Sequence, residues 1–409
     1  MDFLCLLLYC YAAGATLLTA ATNDSMKLPW KRHTIDNASK GADGIRTSDI
    51  NRDGLIDLTT GWEEGGLVRV YLNPGPDKVK SPWPAVTVGR VNNVEDAVFA
   101  DWDGDGIMDV VSSCEGNTRA MYVHRAPSAL NDYMQPSKWQ TIALPQSVQN
   151  MQWMFAIPLQ VDGKYGTDLV AGGKGPDAAI GWFECPEKPW ELSQWKWHPL
   201  RPAGWIMSLI TCDMDDDKDM DVLFTDRKGK CSGAYWLENP GIDSSGNNWK
   251  EHLIGGDGRE TMFMHVVDLD GDHLEDVLVA TKPREILWFR RMDRTGLSWK
   301  TLTIPMPSVA STAKAVNAAD IDLDGRIDLV FSCEGAKAPL QGLMWLKTTT
   351  PAQADSWKSM PISGLDGVKH DLIIINDLDH DGDFDIITTE EQKDQRGLGV
   401  IWYENPVIH

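Results

Sequence analysis

Beyond residue 28 the chain is written in short apolar runs broken by turn residues, and no stretch sustains a helical period. One kind of run is rich in β-branched residues: DVVSS from Asp109, DVLFT from Asp221, DLVFS from Asp328. A second carries an aromatic, at Tyr71, Tyr122, Trp182, Trp236, Trp288, Trp345 and Trp402. A third opens with tryptophan, at Trp30, Trp83, Trp139, Trp195, Trp249, Trp299 and Trp357. A fourth precedes an Asp-rich nonamer that starts at 49, 101, 160, 213, 268, 320 and 377. All four keep one period of roughly 55 residues, so the pattern predicts seven units of four short strands each.

Four strands per unit and seven units predict an all-β fold, a seven-bladed β-propeller. A solenoid would need polar caps at its ends, and none is visible. The seventh unit stops after its aromatic strand at VIWYENPVIH, while the Trp30 strand stands ahead of the first nonamer. The N-terminal strand is therefore expected to complete the last blade and leave no open edge. The propeller is placed at residues 28–409 as one domain. The tryptophans are read as packing between sheets.

The nonamers follow D-x-[DN]-x-D-G-x-x-D, with oxygen donors at positions 1, 3, 5 and 9. Hard cations with many oxygen ligands want this set, and calcium tolerates its irregular geometry best. The expected ligands are Asp49, Asn51, Asp53 and Asp57 in the first copy, and Asp101, Asp103, Asp105 and Asp109 in the second. Asp213, Asp215, Asp217 and Asp221 form the fourth set, and Asp268, Asp270, Asp272 and Asp276 the fifth. Asp320, Asp322, Asp324 and Asp328 form the sixth, and Asp377, Asp379, Asp381 and Asp385 the seventh. The third copy, QVDGKYGTD, has lost two of its donors to Gln160 and Lys164, and a lysine ammonium there stands in for the ion. Up to six structural Ca²⁺ are expected, each pinning a hairpin. Lys218 and His273 replace the turn glycine in the fourth and fifth copies, which should weaken them.

These loops and the D-[LVI]-[VLI] strands after them resemble the FG-GAP/VCBS repeats, in an arrangement similar to integrin α-subunit propellers. The resemblance covers about residues 28–409 and implies the propeller fold with calcium loops on one face. It leaves activity open, since the family includes adhesion modules, polysaccharide lyases and exported bacterial proteins. A similar propeller also occurs in fungal aldos-2-ulose dehydratases, beside cupin domains for which this chain has no length.

The resemblance puts ligand sites on the face opposite the loops, and two rings of residues map there. Six places before each nonamer stand Asp43, Glu95, Met154, Met207, Met262, Lys314 and Asp371. Six places after its last position stand Glu63, Glu115, Lys174, Arg227, Lys282, Glu334 and Glu391. Carboxylates gather on blades 7, 1 and 2, and cations on blades 3, 4 and 5. Trp205, with Trp62 and Trp153, would stack on sugar faces, and the basic wall would suit uronate or sulfate groups. His370 beside Asp371, with Asp43 and Glu95, is the candidate for catalysis. His265 reads as a core histidine.

Charge and leader narrow the classes further. Thirty-eight Lys and Arg against 60 Asp and Glu give −22, which excludes a general electrostatic nucleic-acid binder. Residues 3–20 are apolar and run into small residues at Ala20 and Ala21, so residues 1–21 read as a secretory signal peptide. An uncleaved anchor is the rival; with the leader removed, no transmembrane segment remains. A secreted or periplasmic location follows, where millimolar calcium would fill even weak sites. Five cysteines remain beyond the leader, an odd number at irregular spacing, so no disulfide framework is expected. The function expected is a carbohydrate- or protein-binding module. The alternative is a polysaccharide lyase or sugar dehydratase working from the funnel face.

Overall fold

The computed structural model describes residues 25–242, 249–282, 284–391 and 397–408. The leader expected at residues 1–21 lies outside them. Seven four-stranded antiparallel sheets are present, in the expected order of strands. In blade 1 the inner strand is Ala42–Ser48, followed outward by Asp57–Trp62, Leu67–Tyr71 and Ala85–Gly89. The other inner strands are Val94–Ala100, Gln152–Leu159, Ile206–Cys212, Glu260–Val267, Thr312–Ala319 and His370–Asn376. Each touches its neighbours and together they ring the axis.

Blade 7 closes as the sequence implied. Its sheet runs His370–Asn376, Asp385–Glu390, Gly399–Glu404 and then Lys31–Asp36 from the N-terminal side. Lys31 faces Glu404 and His33 faces Trp402 across this seam. Trp30 N–H donates to the carbonyl of Ile362 in blade 6.

Second strands are sandwiched between neighbouring blades, so both their faces are covered. Asp57–Trp62, Asp109–Cys114, Asp221–Asp226 and Asp385–Glu390 are buried at every residue. This is why they read as continuous apolar runs rather than alternating ones. The third-strand tryptophans Trp236, Trp288, Trp345 and Trp402 are buried between sheets.

One feature recurs in all seven blades: the pairing of inner and second strand shifts register near the channel mouth. A bulge bends a strand and re-aims the extra side chain. Glu95, Met154, Met207, Met262, Lys314 and Asp371 fall inside these bulges, and Asp43 is the last paired residue before one.

Candidate metal loops and channel mouth

The nonamers form the turns between inner and second strands on one face. The first aspartate folds each loop around itself. Asp49 accepts from the N–H of Asp53 at 3.1 Å and of Gly54 at 3.0 Å. Asp377 does the same with Asp381 and Gly382, both at 3.1 Å. The backbone is left-handed at positions 4 and 6, where Gly104 and Gly106 have φ of 73° and 81°. Lys218 at 80° and His273 at 66° adopt the same turn without glycine. Their loops keep the shared geometry, at a strain of about 1–2 kcal/mol each.

Orphaned oxygens test whether the donor set fits a cation. Oδ1 of Asp215, Asp270, Asp322 and Asp379, all at position 3, is buried without a hydrogen-bond partner, as is Oδ1 of Asp101 at position 1. Buried carboxylate oxygens without donors are costly unless a cation meets them. The same register repeated over several blades fits a hard divalent ion. The ligand atoms of Asp101, Asp103 and Asp105 lie within 4.8 Å of one another, as do those of Asp268, Asp270 and Asp272. These residues would hold calcium, which there would pin the turn. In the third loop Lys164 Nζ stands 2.8 Å from Asp162 Oδ2, and Gln160 donates to backbone carbonyls.

Position 9 has a role that spacing did not reveal. Asp57 accepts from the N–H of Ile50 at 3.0 Å and of Asn73 at 2.8 Å, tying the loop to the end of the third strand. Asp221 repeats this with Met214 and Asn239, and Asp385 with Leu378 and Asn405. Asp168 does so with Val161 and Cys185 in blade 3, whose loop has a lysine in place of an ion. Asp109, Asp276 and Asp328 stand at the same place, each buried. The ninth aspartate is thus a backbone pin in its own right. Burial pushes these carboxyls up, to about 6 at Asp57 and Asp276, about 7 at Asp168 and Asp221, and about 8 at Asp109, Asp328 and Asp385.

On the opposite face the two rings converge. Ligand atoms of Asp43, Glu63 and Glu391 come within 4.8 Å of each other, and so do those of Glu63, Glu95 and Glu115. Lys174 pairs with Glu115, Lys282 with Glu334 and Lys369 with Glu391, while Arg227 lies 2.7 Å from Glu260. Lys314, buried below the mouth, stands 3.7 Å from Asp371. Burial lifts Asp371 to about 7, helped by its contact with Asp43. Burial also raises the Glu95 carboxyl and lowers the Lys174 ammonium. Among the described residues no cation lies within ion-pair distance of Glu63 or Glu95.

The tryptophans do not offer the sugar platform expected of them. Trp62 and Trp153 are wholly buried. Trp205 is half-buried and carries Arg227 at 4.3 Å, Lys174 at 4.4 Å and Lys228 at 4.9 Å from its ring. The basic wall is therefore folded onto its own aromatic and its acidic neighbours.

His370 is not at the mouth. It is wholly buried, its Nε2 is 3.4 Å from Tyr403 Oη, and burial lowers it to about 3. It stands next to Asp371 in sequence, but successive side chains of a strand point to opposite faces, and its own face is the one packed against Tyr403. His265, read as core, instead lines a channel cavity of about 290 Å³ with Arg46, Thr47 and Asn317. Arg46 there grips Asp96 with two hydrogen bonds, at 3.0 and 3.2 Å, joining blades 1 and 2. Cys114 and Cys333 are free and buried, their thiols pushed up to about 12, so neither serves as a thiolate nucleophile.

Repeating acidic loops, four-stranded blades and a closed ring define a class, the seven-bladed β-propeller. Residues 49–112 and 268–331 match the family model described as FG-GAP-like repeat. The chain is a seven-bladed propeller that carries FG-GAP-like repeats in those two stretches. Its fold is similar to YCF48 from Cyanidioschyzon merolae, with a TM-score of 0.53 at 11% identity over 93% of this chain and 99% of that one. A second solved structure, BBS1N in complex with ARL6DN and soaked with lead, gives 0.48 at 10% identity over 92% and 97%. None of the curated proteins compared matches the chain. Among the described residues no helix is long and apolar enough to cross a membrane.

Proposed function

We propose that this propeller is an exported, calcium-stabilised module that binds a protein partner, receiving a basic side chain at the acidic side of the channel mouth. The observation that carries the reading is the surplus of carboxylate there. Among the described residues the cations paired with Asp43, Glu63, Glu95, Glu115, Asp371 and Glu391 are Lys174, Lys314 and Lys369, three against six. A guanidinium or ammonium from a partner would complete the pairing of Glu63 and Glu95, which are partly exposed. The carbohydrate reading loses ground because Trp62 and Trp153 are buried and Trp205 is covered by cations. The lyase or dehydratase reading loses its histidine, since His370 is buried in the core, and would have to rest on the mouth carboxylates alone.

The test is fluorescence anisotropy with Arg- and Lys-rich peptides and with sulfated oligosaccharides, at low and high salt. Basic peptides should bind, weaken with salt, and lose most affinity in the double variant Glu63→Gln, Glu95→Gln. Peptide binding that survives this variant, or binding of the sulfated glycans alone, would overturn the reading.

A further inference from the structure

We propose that the protein's own cations sort its loops into three classes, and that calcium is held tightly only at blades 1, 2 and 4. The proposal rests on reading the loops as calcium sites. At blade 3 Lys164 replaces the ion from within the loop. At blades 5, 6 and 7 a cation arrives from outside it, joined in blade 6 by Arg326 from within the loop, 2.5 Å from Asp324 Oδ2. Arg290 Nε lies 2.5 Å from Asp270 Oδ2, and its Nη2 lies 3.2 Å from Asp272 Oδ2. Lys347 pairs with Asp322 and stands 2.7 Å from Asp324. Lys80, from the blade 1 connection, reaches Asp379 Oδ2 at 2.9 Å. In each case position 3 gives Oδ2 to the side chain and keeps Oδ1 buried without a hydrogen bond. The place for the metal persists, with a positive charge beside it. Among the described residues no Lys or Arg pairs with the donor carboxylates of loops 1, 2 and 4.

A single strand position sets much of this pattern. Two residues beyond the third-strand tryptophan stand Glu184, Glu238 and Glu404 in blades 3, 4 and 7. Each meets a histidine from the W-K-x-H strand: His198 and His252 at 2.8 Å, and His33 at 2.5 Å. Each histidine stacks on that tryptophan, with centroids 4.3 to 4.6 Å apart. In blades 5 and 6 the same position is Arg290 and Lys347, and the histidine is replaced by Leu302 and Met360. Lys300 and Lys358 stand opposite these cations and repel them, so both turn to the loop carboxylates. In blade 4 the sign is reversed, and Glu238 adds negative charge near Asp215. Arg290, Lys347 and Lys80 are therefore guards that hold their loops folded without metal and weaken calcium there.

Calcium binding to metal-stripped protein, measured by competition with a chromophoric chelator, tests this. The wild type should show three tight and three weak sites. Lys347→Met should tighten one weak site by about tenfold, and Glu238→Lys should weaken one tight site by about as much, as expected for a unit charge near a divalent ion. Arg290→Met should repeat the Lys347→Met result in blade 5, and covers the case in which one variant fails to fold. Lys40→Met, an exposed change on the far face, should leave the isotherm as it is. Six equal sites, or isotherms unmoved by the guard variants, would overturn the proposal and leave the calcium reading standing. Absence of any binding, with a melting temperature indifferent to calcium and EGTA, would overturn both.

Discussion

Replacing Glu404 by glutamine removes one charge at the seam where the N-terminal strand completes blade 7. The carboxylate holds His33 at 2.5 Å, Lys80 at 2.7 Å and Lys31 at 3.2 Å. Burial alone would raise this carboxyl, but Lys80, His33 and Lys31 reverse that and hold it down to about 2, from an ordinary 4.5. A shift of that size corresponds to about 3.5 kcal/mol at most, at roughly 1.4 kcal/mol per unit. The lysines are 68% and 39% exposed, so screening reduces the expected cost to about 1.5–2 kcal/mol. Because the folded value is depressed, this stability is present above about pH 4.5 and is lost as pH falls toward 2. Amide hydrogen exchange of Lys31–Asp36 reads the seam directly. Exchange there should speed by about 10- to 30-fold in Glu404→Gln at neutral pH. Glu238→Gln removes the equivalent clamp inside blade 4 and should speed exchange in Lys250–Gly255 while sparing the N-terminal strand. An increase below about threefold at Lys31–Asp36, or equal loosening of the seam by both variants, would refute the assignment of Glu404 as its clasp.

Metal-stripped protein should melt at falling temperature as pH rises from 5.5 to 8.5. The ninth-position carboxyls are raised to between about 6 and 8, so the folded state holds their protons more strongly and loses that advantage as they ionise. A melting temperature that is flat or rises over this range would contradict the burial argument. Asp168→Ala should cost about 2–4 kcal/mol, because the N–H groups of Val161 and Cys185 lose their acceptor. Its calcium stoichiometry should equal that of the wild type, and a lost site would show that the third loop binds metal after all.

Most of the architecture was legible because each blade repeats the same chemical text. Seven nonamers, seven aromatic strands and seven tryptophan strands leave one arrangement that buries them all, and the unmatched Trp30 strand pointed to the seam. The two mouth rings were also found by counting, since a fixed offset from each loop selects the same height in every blade. The placing of His370 at the mouth overlooked strand alternation, which puts it and Asp371 on opposite faces: His370 packs against Tyr403 and Asp371 turns toward Lys314. The bulges themselves were not legible. A bulge depends on cross-strand pairing, which a single strand's alternation does not encode. The backbone role of the ninth aspartate was hidden because ligand and pin call for the same residue. The guards Arg290 and Lys347 did have a signal. They stand where blades 3, 4 and 7 carry glutamate, and the cross-strand histidine of those three blades is absent from theirs.

The repeated bulge at the inner strands has a consequence for how such a protein could diversify. Turning one side chain out of the ladder lets equivalent places carry different chemistry even though each stays buried, as Met207, Lys314 and Asp371 are. Met207, Lys314 and Asp371 occupy equivalent bulges with very different chemistry, and the strands around them are unchanged in kind. Six such positions stand around one opening, and two of them are coupled, since Lys314 lies 3.7 Å from Asp371. A volume-conserving change at a single bulge would alter the floor of the opening while leaving the loops and the seam intact. Relatives that share the scaffold could thus diverge in specificity by point changes, without insertions and without passing through an unfolded intermediate sequence.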